Sequence, residues 1–289
     1  MTEFTSIRSD HSYVDAEGVT IHYYAWVAST PKGVIQIVHG LGEHALRYEW
    51  VAQQLVGAGY SVYADDHRGH GATGSEQHGG DLSKLGRLGP GGLRATMAAI
   101  RKFTSIVRAE NAGLPLTAIG QSWGSLMLQI IINQHSGDYD GVVLTGTAHR
   151  SVGLMNGGDL NAKHKHLGST RFEWLSRNPD VVTAFVEDPL TFYADVVKLF
   201  GIPDGLRLFG RPAKNIQPAI PVLIMIGSDG SLGGEKSAAK LADEYVTRSG
   251  LDDVRAIVYP GARHEVFNET NRDEVVGDLI AWIDERIPA

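Results

Sequence analysis

The stretch Leu114-Pro115-Leu116-Thr117-Ala118-Ile119-Gly120-Gln121-Ser122-Trp123-Gly124, followed by Ser125-Leu126-Met127-Leu128-Gln129-Ile130-Ile131-Ile132, decides the fold. Residues 114–119 are typical of a short buried strand, and residues 125–132 are typical of a mostly apolar helix. Between them stands a Gly-x-Ser-x-Gly turn, whose small residues let the chain double back on itself. Such a turn lifts the Ser122 hydroxyl clear of the sheet and places it at a helix N-terminus, where developing negative charge is stabilised. We therefore predict that Ser122 is a nucleophile.

Composition narrows the classes of protein to which the chain can belong. A chain of 289 residues can hold one large α/β domain with an inserted subdomain. The net charge of -7 argues against a nucleic-acid partner held by phosphate contacts. The absence of cysteine excludes disulfides, thiolate catalysis and Cys-ligated zinc. Because 35 residues are glycine, an ordinary Gly-rich strand–helix turn remains the competing interpretation of residues 120–124.

The chain shows no sign of a targeting or membrane-spanning segment. Residues 1–10 contain no apolar run of the kind found in a signal peptide. No run elsewhere approaches the roughly 18 apolar residues that a membrane span needs. We therefore expect a cytoplasmic protein.

Strand-like and helix-like segments alternate along most of the chain. This alternation predicts the α/β class, with a mostly parallel, doubly wound sheet and an N-terminal hairpin. Between residues 150 and 217 the alternation stops and aromatic residues are scattered, so we predict an inserted cap (150–217) in a core formed by residues 1–149 and 218–289. The predicted strands are 12–14, 19–27, 33–38, 61–64, 114–119, 141–145, 222–226 and 254–259, and the predicted helices are 47–58, 93–110, 125–132, 235–249 and 272–287. The polar, Gly-rich segment 65–80 is predicted to be a loop.

A serine hydroxyl needs a base to take its proton, and the base needs a further group to orient it. His264 is the candidate base, because it lies in the turn Tyr259-Pro260-Gly261-Ala262-Arg263-His264, between the last predicted strand and the last predicted helix.

An oxyanion hole needs two aimed backbone N–H groups. We predict that Trp123 supplies one, directly after the nucleophile. Leu41 is the candidate for the other, in the Gly-rich loop that follows strand 33–38. His39 and His44 flank that loop, and we predict that they support it and bind no metal, because no carboxylate or third histidine repeats their spacing.

Four motifs occur together in this chain. They are His39-Gly40-Leu41-Gly42-Glu43-His44 with Arg47-Tyr48; Asp66-His67-Arg68-Gly69-His70-Gly71; the turn around Ser122; and Tyr259-Pro260-Gly261-Ala262-Arg263-His264-Glu265-Val266-Phe267-Asn268-Glu269. Together they resemble the monoacylglycerol lipase and lysophospholipase-like branch of the α/β-hydrolase fold, as do 178–182 and 188–190 in the predicted cap. The resemblance extends from about residue 19 to residue 287. It implies a cofactor-independent hydrolase with Ser122 as nucleophile, His264 as base, and the Leu41 and Trp123 N–H groups as the oxyanion hole.

The chain departs from that family's pattern at two positions. The residue before the nucleophile is commonly His in the family and is Gln121 here, whose amide can still form hydrogen bonds. The catalytic acid usually stands three residues after a Gly that ends the penultimate strand. In the segment Ile226-Gly227-Ser228-Asp229-Gly230-Ser231 that position holds Gly230, and the Asp stands one residue earlier.

Three explanations of this segment remain open. Asp229, our candidate acid, could reach His264 through a loop that Gly230 makes pliable. The chain could instead be a variant weakened by loss of the acid, which in serine proteases lowers kcat by about 10⁴ without changing the reaction class. Finally, Glu235 or Glu265 could orient the base.

These interpretations predict a serine carboxylic-ester hydrolase that forms an acyl-enzyme on Ser122 and acts on small monoesters such as monoacylglycerols. The aromatic, Leu-rich cap suits a substrate with an acyl chain or an aryl group, and the cap could make weak contact with a lipid surface. The first alternative is a lactonase, amidase or cofactor-free perhydrolase on the same site. The second is a degenerate hydrolase that acts as a binding protein, because Gly230 replaces the acid. The oligomeric state is left open.

Overall fold

The computed structural model of the protein describes residues 7–286, and within them the strands form one eight-stranded sheet. The strands are β1 (Arg8–Val14), β2 (Thr20–Trp26), β3 (Gly33–Val38), β4 (Tyr60–Asp65), β5 (Leu116–Gln121), β6 (Gly141–Thr145), β7 (Val222–Gly227) and β8 (Val254–Tyr259). The predicted hairpin is the antiparallel pair β1–β2, and β2 also pairs antiparallel with β4. All remaining neighbours are parallel, so the predicted mostly parallel sheet is confirmed.

The strand order places two chain turns side by side at the carboxyl ends of two central strands. The order is β1-β2-β4-β3-β5-β6-β7-β8, so the chain leaves β3 toward β4 on one side and later returns to β5 on the other. β3 and β5 are neighbours in parallel register, with Val38 opposite Gly120. The loop after β3 and the turn after β5 therefore meet at the point where the winding reverses, which is where open α/β sheets bind ligands.

Helices cover both faces of the sheet, as the continuous apolar strands require. They are α1 (Glu49–Gly57), α2 (Gly71–Gln77), α3 (Gly92–Glu110), α4 (Trp123–His135), α5 (Pro179–Glu187), α6 (Val196–Arg207), α7 (Gly234–Thr247) and α8 (Arg272–Asp284). The apolar sides of α1 and α8 pack on one face, where Leu55 and Leu279 belong to the same buried cluster. Those of α3, α4 and α7 pack on the other, where Phe103, Met127 and Tyr245 are buried together.

The segment 65–80, predicted to be a loop, contains helix α2, so that prediction was wrong for residues 71–77. The helix begins where the buried Asp66 carboxylate accepts hydrogen bonds from the N–H groups of Ala72 (2.7 Å) and Ala45 (2.8 Å). A carboxylate at a helix N-terminus satisfies an N–H group that has no acceptor within the helix. Because this cap comes from outside the helix, the glycine-rich composition of the segment gave no sign of it.

β3, β6 and β8 begin and end at the predicted residues. The bounds of the other core elements differ from the predicted ones by a few residues at one or both ends. The last helix was predicted to end at Ile287, which lies outside the described residues, and α8 ends at Asp284. Residues 1–6 also lie outside, and with them most of the N-terminal segment used to predict the location.

Between β6 and β7 the described chain carries helices α5 and α6 and no strand. α5 begins after Asn178, whose side chain accepts a hydrogen bond from the Asp180 N–H (3.0 Å), with Pro179 in the first turn. α6 is broken at Gly201, which has φ = 72°. The cap boundaries at residues 150 and 217 stay predictions. No helix among the described residues is long and apolar enough to cross a membrane.

Candidate active site

Ser122 lies in the turn between β5 and α4 with φ = 52° and ψ = -119°, angles that residues other than glycine rarely adopt. Its N–H donates to the carbonyl of Thr145 (2.9 Å), and its own carbonyl accepts from the Leu126 N–H (3.1 Å) and the Ser125 hydroxyl (2.6 Å). These bonds hold the strained residue in place. The Ser122 side chain consequently stands at the N-terminus of α4, as the sequence predicts for a nucleophile.

The two glycines of the turn allow backbones to touch. A Cβ atom on Gly120 would lie 2.8 Å from the Cα of Ser125, and one on Gly124 would lie 2.1 Å from the carbonyl oxygen of Val38. Neither position has room for a side chain. The Gly-x-Ser-x-Gly spacing therefore packs the first turn of α4 directly against the end of β3.

His264 follows β8 and lines the same cavity as Ser122. The residue is buried, and its ring centroid lies 4.6 Å from that of Trp174. The backbone N–H of His264 donates to the Trp174 carbonyl (3.4 Å). Burial lowers the pKa of His264 to about 4, and the charge of Glu265 opposes that shift. The imidazole is therefore neutral at pH 7, which is the form that a general base needs.

Gln121 supports the main chain at His264. Its amide nitrogen donates to the His264 carbonyl (3.3 Å), and its amide oxygen accepts from the Thr145 hydroxyl (2.6 Å). A Cβ atom on Gly146 would lie 2.7 Å from the same His264 carbonyl, so the backbone also packs closely there. The residue that replaces the histidine common in the resembled family thus contacts the predicted base.

The predicted oxyanion donors lie beside Ser122. Leu41 belongs to the loop after β3, and Trp123 is the first residue of α4, so the Trp123 N–H has no acceptor within its helix. Both residues line the cavity with Ser122. A Cβ atom on Gly40 would lie 3.2 Å from the Ser122 Cβ, so the loop backbone passes directly next to the serine. This arrangement can present two N–H groups to one oxyanion, although the assignment of Leu41 and Trp123 stays a prediction.

The histidines that flank this loop contact protein groups. His39 Nδ1 hydrogen-bonds the carbonyl of Gly40 (2.7 Å), and its Nε2 accepts from the N–H of His67 (3.0 Å). His44 Nε2 lies 2.8 Å from a carboxylate oxygen of Asp188 in the cap. No group of histidine and acidic side chains suited to a metal ion occurs among residues 7–286.

The structure does not bring Asp229 to His264. The Asp229 carboxylate pairs with the ammonium group of Lys163 in the cap, whose hydrogen bond lowers the pKa of Asp229. Of the other candidate acids, Glu265 pairs with Arg47, and Glu235 lies in the first turn of α7. Within the described part of the chain no carboxylate hydrogen-bonds the His264 ring, whose Nε2 has no partner. The pairing of Asp229 with Lys163 favours loss of the acid over the Asp229 assignment.

A cavity of about 350 Å³ is lined by Ser122. On one side it is bordered by the serine, the histidine and the predicted oxyanion loop. On the other, residues of segment 150–217, the predicted cap, form a mainly apolar wall, which includes Phe172, Trp174, Leu175, Phe185, Phe192, Tyr193 and Leu208. A hollow of this size with an apolar wall and one reactive end suits a small ester whose acyl or aryl group is buried.

A protein-family model described as Hydrolase_4, serine aminopeptidase S33, matches residues 29–271. The chain belongs to this family. It is 32% identical to the monoacylglycerol lipase of Mycolicibacterium smegmatis, over 96% of this chain and 98% of that protein. It is also 26% identical to the human monoglyceride lipase, over 94% of this chain and 89% of that protein. This Hydrolase_4 chain is therefore an ester hydrolase of the monoacylglycerol lipase-like type, and the comparisons do not favour the alternative activities.

Solved structures show the fold of this Hydrolase_4 protein. A highly thermostable carboxyl esterase from Bacillus coagulans matches it with a TM-score of 0.81 at 24% identity, over 98% of this chain and 100% of that chain. The prediction of an α/β-hydrolase fold is confirmed.

Glu43 lines the cavity and Arg47 adjoins it, although the motifs of the sequence predicted no role for either. Arg47 forms ion pairs with Glu43 and with Glu265, the residue that follows the predicted base. The available signal was an acidic and a basic residue four positions apart, directly after the predicted oxyanion loop. That spacing indicates an ion pair between Glu43 and Arg47, but it gives no sign of the second partner of Arg47, Glu265.

Proposed function

We propose that the protein hydrolyses small neutral carboxylic monoesters, with monoacylglycerols as the leading candidates, through an acyl-enzyme on Ser122. The observation that carries this proposal is the position of Ser122, held at φ = 52° at the N-terminus of α4 in a cavity that it shares with His264. His264 takes the proton of Ser122 as the ester is attacked and returns it to the leaving alcohol. The Leu41 and Trp123 N–H groups stabilise the oxyanion. Water then releases the acid by the same steps.

The substrate class is proposed from the cavity and the relatives together. The wall from residues 150–217 is mainly apolar and suits an acyl chain, although Asp159 and Asp195 also line it, and Glu43 and Glu265 line the cavity from the core. These carboxylates disfavour an anionic substrate. Two of the similar proteins are named for monoacylglycerol or monoglyceride lipase activity, which agrees with a neutral glycerol ester.

We further propose that His264 works without a hydrogen-bonded acid, because Asp229 is engaged by Lys163. A serine–histidine pair with an oxyanion hole retains part of the catalytic effect of a full triad. The reaction class then stays the same and the turnover is lower.

The test of this function replaces Ser122 by alanine in the purified protein. Ser122→Ala should abolish hydrolysis of p-nitrophenyl esters and monoacylglycerols and should also abolish labelling by a fluorophosphonate probe. Ser105→Ala, on the exposed side of α3, serves as the matched control and should leave both unchanged. Unchanged ester hydrolysis by Ser122→Ala would refute the proposal. A panel of esters, lactones and aminoacyl anilides identifies a lactonase or amidase, and an absence of labelling in the unaltered protein would indicate a degenerate binding protein.

The cap is also proposed to make weak contact with lipid surfaces. Val197, Ile202 and Leu206 of α6 expose 60%, 66% and 63% of their surface, and Val197 also lines the cavity. These exposed apolar side chains, one of which also lines the cavity, would lie against a bilayer or micelle that contains the substrate. Val197→Ser/Ile202→Ser/Leu206→Ser should reduce co-sedimentation with phosphatidylcholine vesicles and leave hydrolysis of a water-soluble ester intact. The cytoplasmic location stays a prediction.

A further inference from the structure

A buried bridge of charged side chains joins the loop of Leu41 to the turn of His264. Arg47 Nη1 lies 2.6 Å from Glu43 Oε2 and 2.7 Å from Glu265 Oε1, and Arg47 Nη2 lies 2.8 Å from Glu265 Oε2. The three side chains are 11%, 5% and 6% exposed for Arg47, Glu43 and Glu265. Buried ion pairs with several short bonds fix their groups in place, because breaking one leaves an uncompensated charge. We call these three residues the Glu43–Arg47–Glu265 bridge.

The Glu43 end of the bridge holds the predicted oxyanion loop. Glu43 Oε1 accepts hydrogen bonds from the Gly40 N–H (2.6 Å) and the Tyr48 hydroxyl (2.9 Å). Gly40 directly precedes Leu41, and its backbone passes beside the Cβ of Ser122. Glu43 therefore holds the His39–Gly40 peptide unit, which directly precedes the unit that carries the Leu41 N–H.

The Glu265 end holds the turn of the predicted base. Besides Arg47, Glu265 Oε2 accepts from the Asn268 amide (2.8 Å), and the Glu265 N–H donates to the Leu175 carbonyl (2.8 Å). Since no described carboxylate hydrogen-bonds the His264 ring, the position of that ring depends on the anchoring of its own turn and on packing against Trp174.

The bridge also sets the charge next to the base. Two carboxylates share the one guanidinium of Arg47, and burial raises the pKa of Glu43 above its ordinary value. Burial alone would raise the pKa of Glu265, but Arg47 brings it below its ordinary value, so Glu265 stays ionised at neutral pH. Its charge opposes the lowering of the His264 pKa that burial causes. A negative charge here stabilises the imidazolium that forms when His264 accepts the serine proton.

We propose that Arg47 is a positioning residue that couples the oxyanion loop to the base and holds the ionised Glu265 carboxylate beside His264. The inference rests on the proposed roles of Ser122, His264 and Leu41. An arginine suits this position because its planar guanidinium can bind one carboxylate with two parallel bonds and still reach another, which a lysine ammonium cannot do.

The experiment compares Arg47→Met, Arg47→Lys and Glu265→Gln in the full chain, with a water-soluble p-nitrophenyl ester as substrate. Arg47→Met should lower kcat by about 10²–10³, the scale of losing one oxyanion donor, with little change in KM. Arg47→Lys should recover part of that loss, because it restores the charge but not the parallel bonds. Glu265→Gln should lower kcat and move the acid limb of the kcat/KM profile to lower pH, because a neutral amide no longer favours the imidazolium.

Arg286→Met is the control, since Arg286 also binds one carboxylate through two nitrogens, with both bonds to Asp253 at 2.7 Å, outside the cavity. It should lower the melting temperature and leave kcat and the pH profile unchanged. The proposal is overturned if Arg47→Met and Glu265→Gln lower only the melting temperature, as the control does. If Arg47→Met does not fold, the near-isosteric Glu265→Gln decides by the same criteria. Ser122→Ala in the same assay distinguishes failure of the Arg47 proposal from failure of the proposed function. Turnover retained by Ser122→Ala would contradict the proposed function itself.

Discussion

Gly230 borders a small cavity of about 10 Å³ that also touches Gly146 and His264, room for about one water molecule. A Cβ atom on Gly230 would lie 3.0 Å from the Gly227 carbonyl oxygen and no closer than 3.9 Å to its next neighbour. A side chain at this position requires the Gly227 carbonyl to move by a few tenths of an ångström, and it would start next to the predicted base. At the residue scale, we expect position 230 to determine whether His264 can have a hydrogen-bonded acid.

We predict that Gly230→Asp raises kcat for a soluble ester. A carboxylate at this position would orient the imidazole and stabilise its protonated form, an effect of up to about 10⁴ in serine proteases. The measurement is kcat of purified Gly230→Asp beside Gly230→Asn, which has nearly the same shape without the charge and should give no increase. Equal values of kcat for both variants would show that a carboxylate at position 230 does not interact with the His264 ring.

Asp229→Asn tests the competing assignment of the acid. The Asp229–Lys163 pair is exposed at both ends, 39% and 61% respectively, and exposed pairs contribute little to stability. We expect Asp229→Asn to change kcat by less than about fivefold, within the range of a weak surface interaction. A fall of several orders of magnitude in steady-state turnover would instead identify Asp229 as the acid, and Lys163→Met serves as the control for the ion pair.

At the scale of elements, the unit formed by β5, the Ser122 turn and α4 depends on contact between backbones. A Cβ atom on Gly124 would lie 2.1 Å from the carbonyl oxygen of Val38, at the end of β3. Any side chain there must push α4 away from β3, and with it the serine away from the oxyanion loop. Rate and stability are consequently linked at this glycine.

Gly124→Ala is expected to lower the free energy of unfolding by about 1–3 kcal/mol or more, the usual cost of overpacking, and to reduce ester hydrolysis strongly. The matched control is Gly277→Ala in α8, where an added Cβ meets no atom within 4 Å. That control should be neutral or stabilising by up to about 1 kcal/mol, because alanine is the better helix former. Urea unfolding of both variants gives the comparison, and equal stability would contradict the packing argument.

At the scale of the whole molecule, the fold buries neutral histidines around the active site. The rings of His39 and His67 stack with centroids 3.9 Å apart, and that of His70 lies 5.2 Å from the Trp123 ring. Burial lowers the pKa of His39 well below its ordinary value, that of His70 to about 3 and that of His264 to about 4. The folded state thus resists protonation that the unfolded chain accepts.

Stability should therefore fall as the pH is lowered below the ordinary histidine pKa of about 6.5. In this range the unfolded chain binds more protons than the folded one, so the free energy of unfolding rises with pH, by up to about 1.4 kcal/mol per pH unit for each such histidine. The contribution of His264 to this loss should end near pH 4, where its ring becomes protonated in the folded state, and that of His70 should continue to about pH 3. Urea titrations between these pH values measure the slope, and His70→Gln should make it shallower. A slope that is flat in this interval would contradict the buried neutral state.

The features that depend on local chemistry could be predicted from the amino-acid sequence. The apolar strand, the Gly-x-Ser-x-Gly turn and the following helix are encoded within residues 114–132, and the positions of β3 and β6 follow from mostly apolar runs. Ser122 and His264 could be selected because a nucleophile turn and a later histidine turn each have a short signature. Helix α2 was missed because its cap, Asp66, acts from outside the helix.

Which charged groups lie against each other could not be predicted, because it depends on the packing of the folded chain. Asp229 is one residue from the expected acid position, yet its carboxylate pairs with Lys163 of the cap, 66 positions away in the chain. Arg47 contacts Glu265 across 218 positions and so links the predicted oxyanion loop to the turn of the predicted base. Such contacts depend on how distant segments pack in the folded chain, because a flexible charged side chain takes whichever partner the packing brings within reach. Ser122 and His264 could therefore be predicted from local patterns, whereas the groups that surround them are brought together by packing.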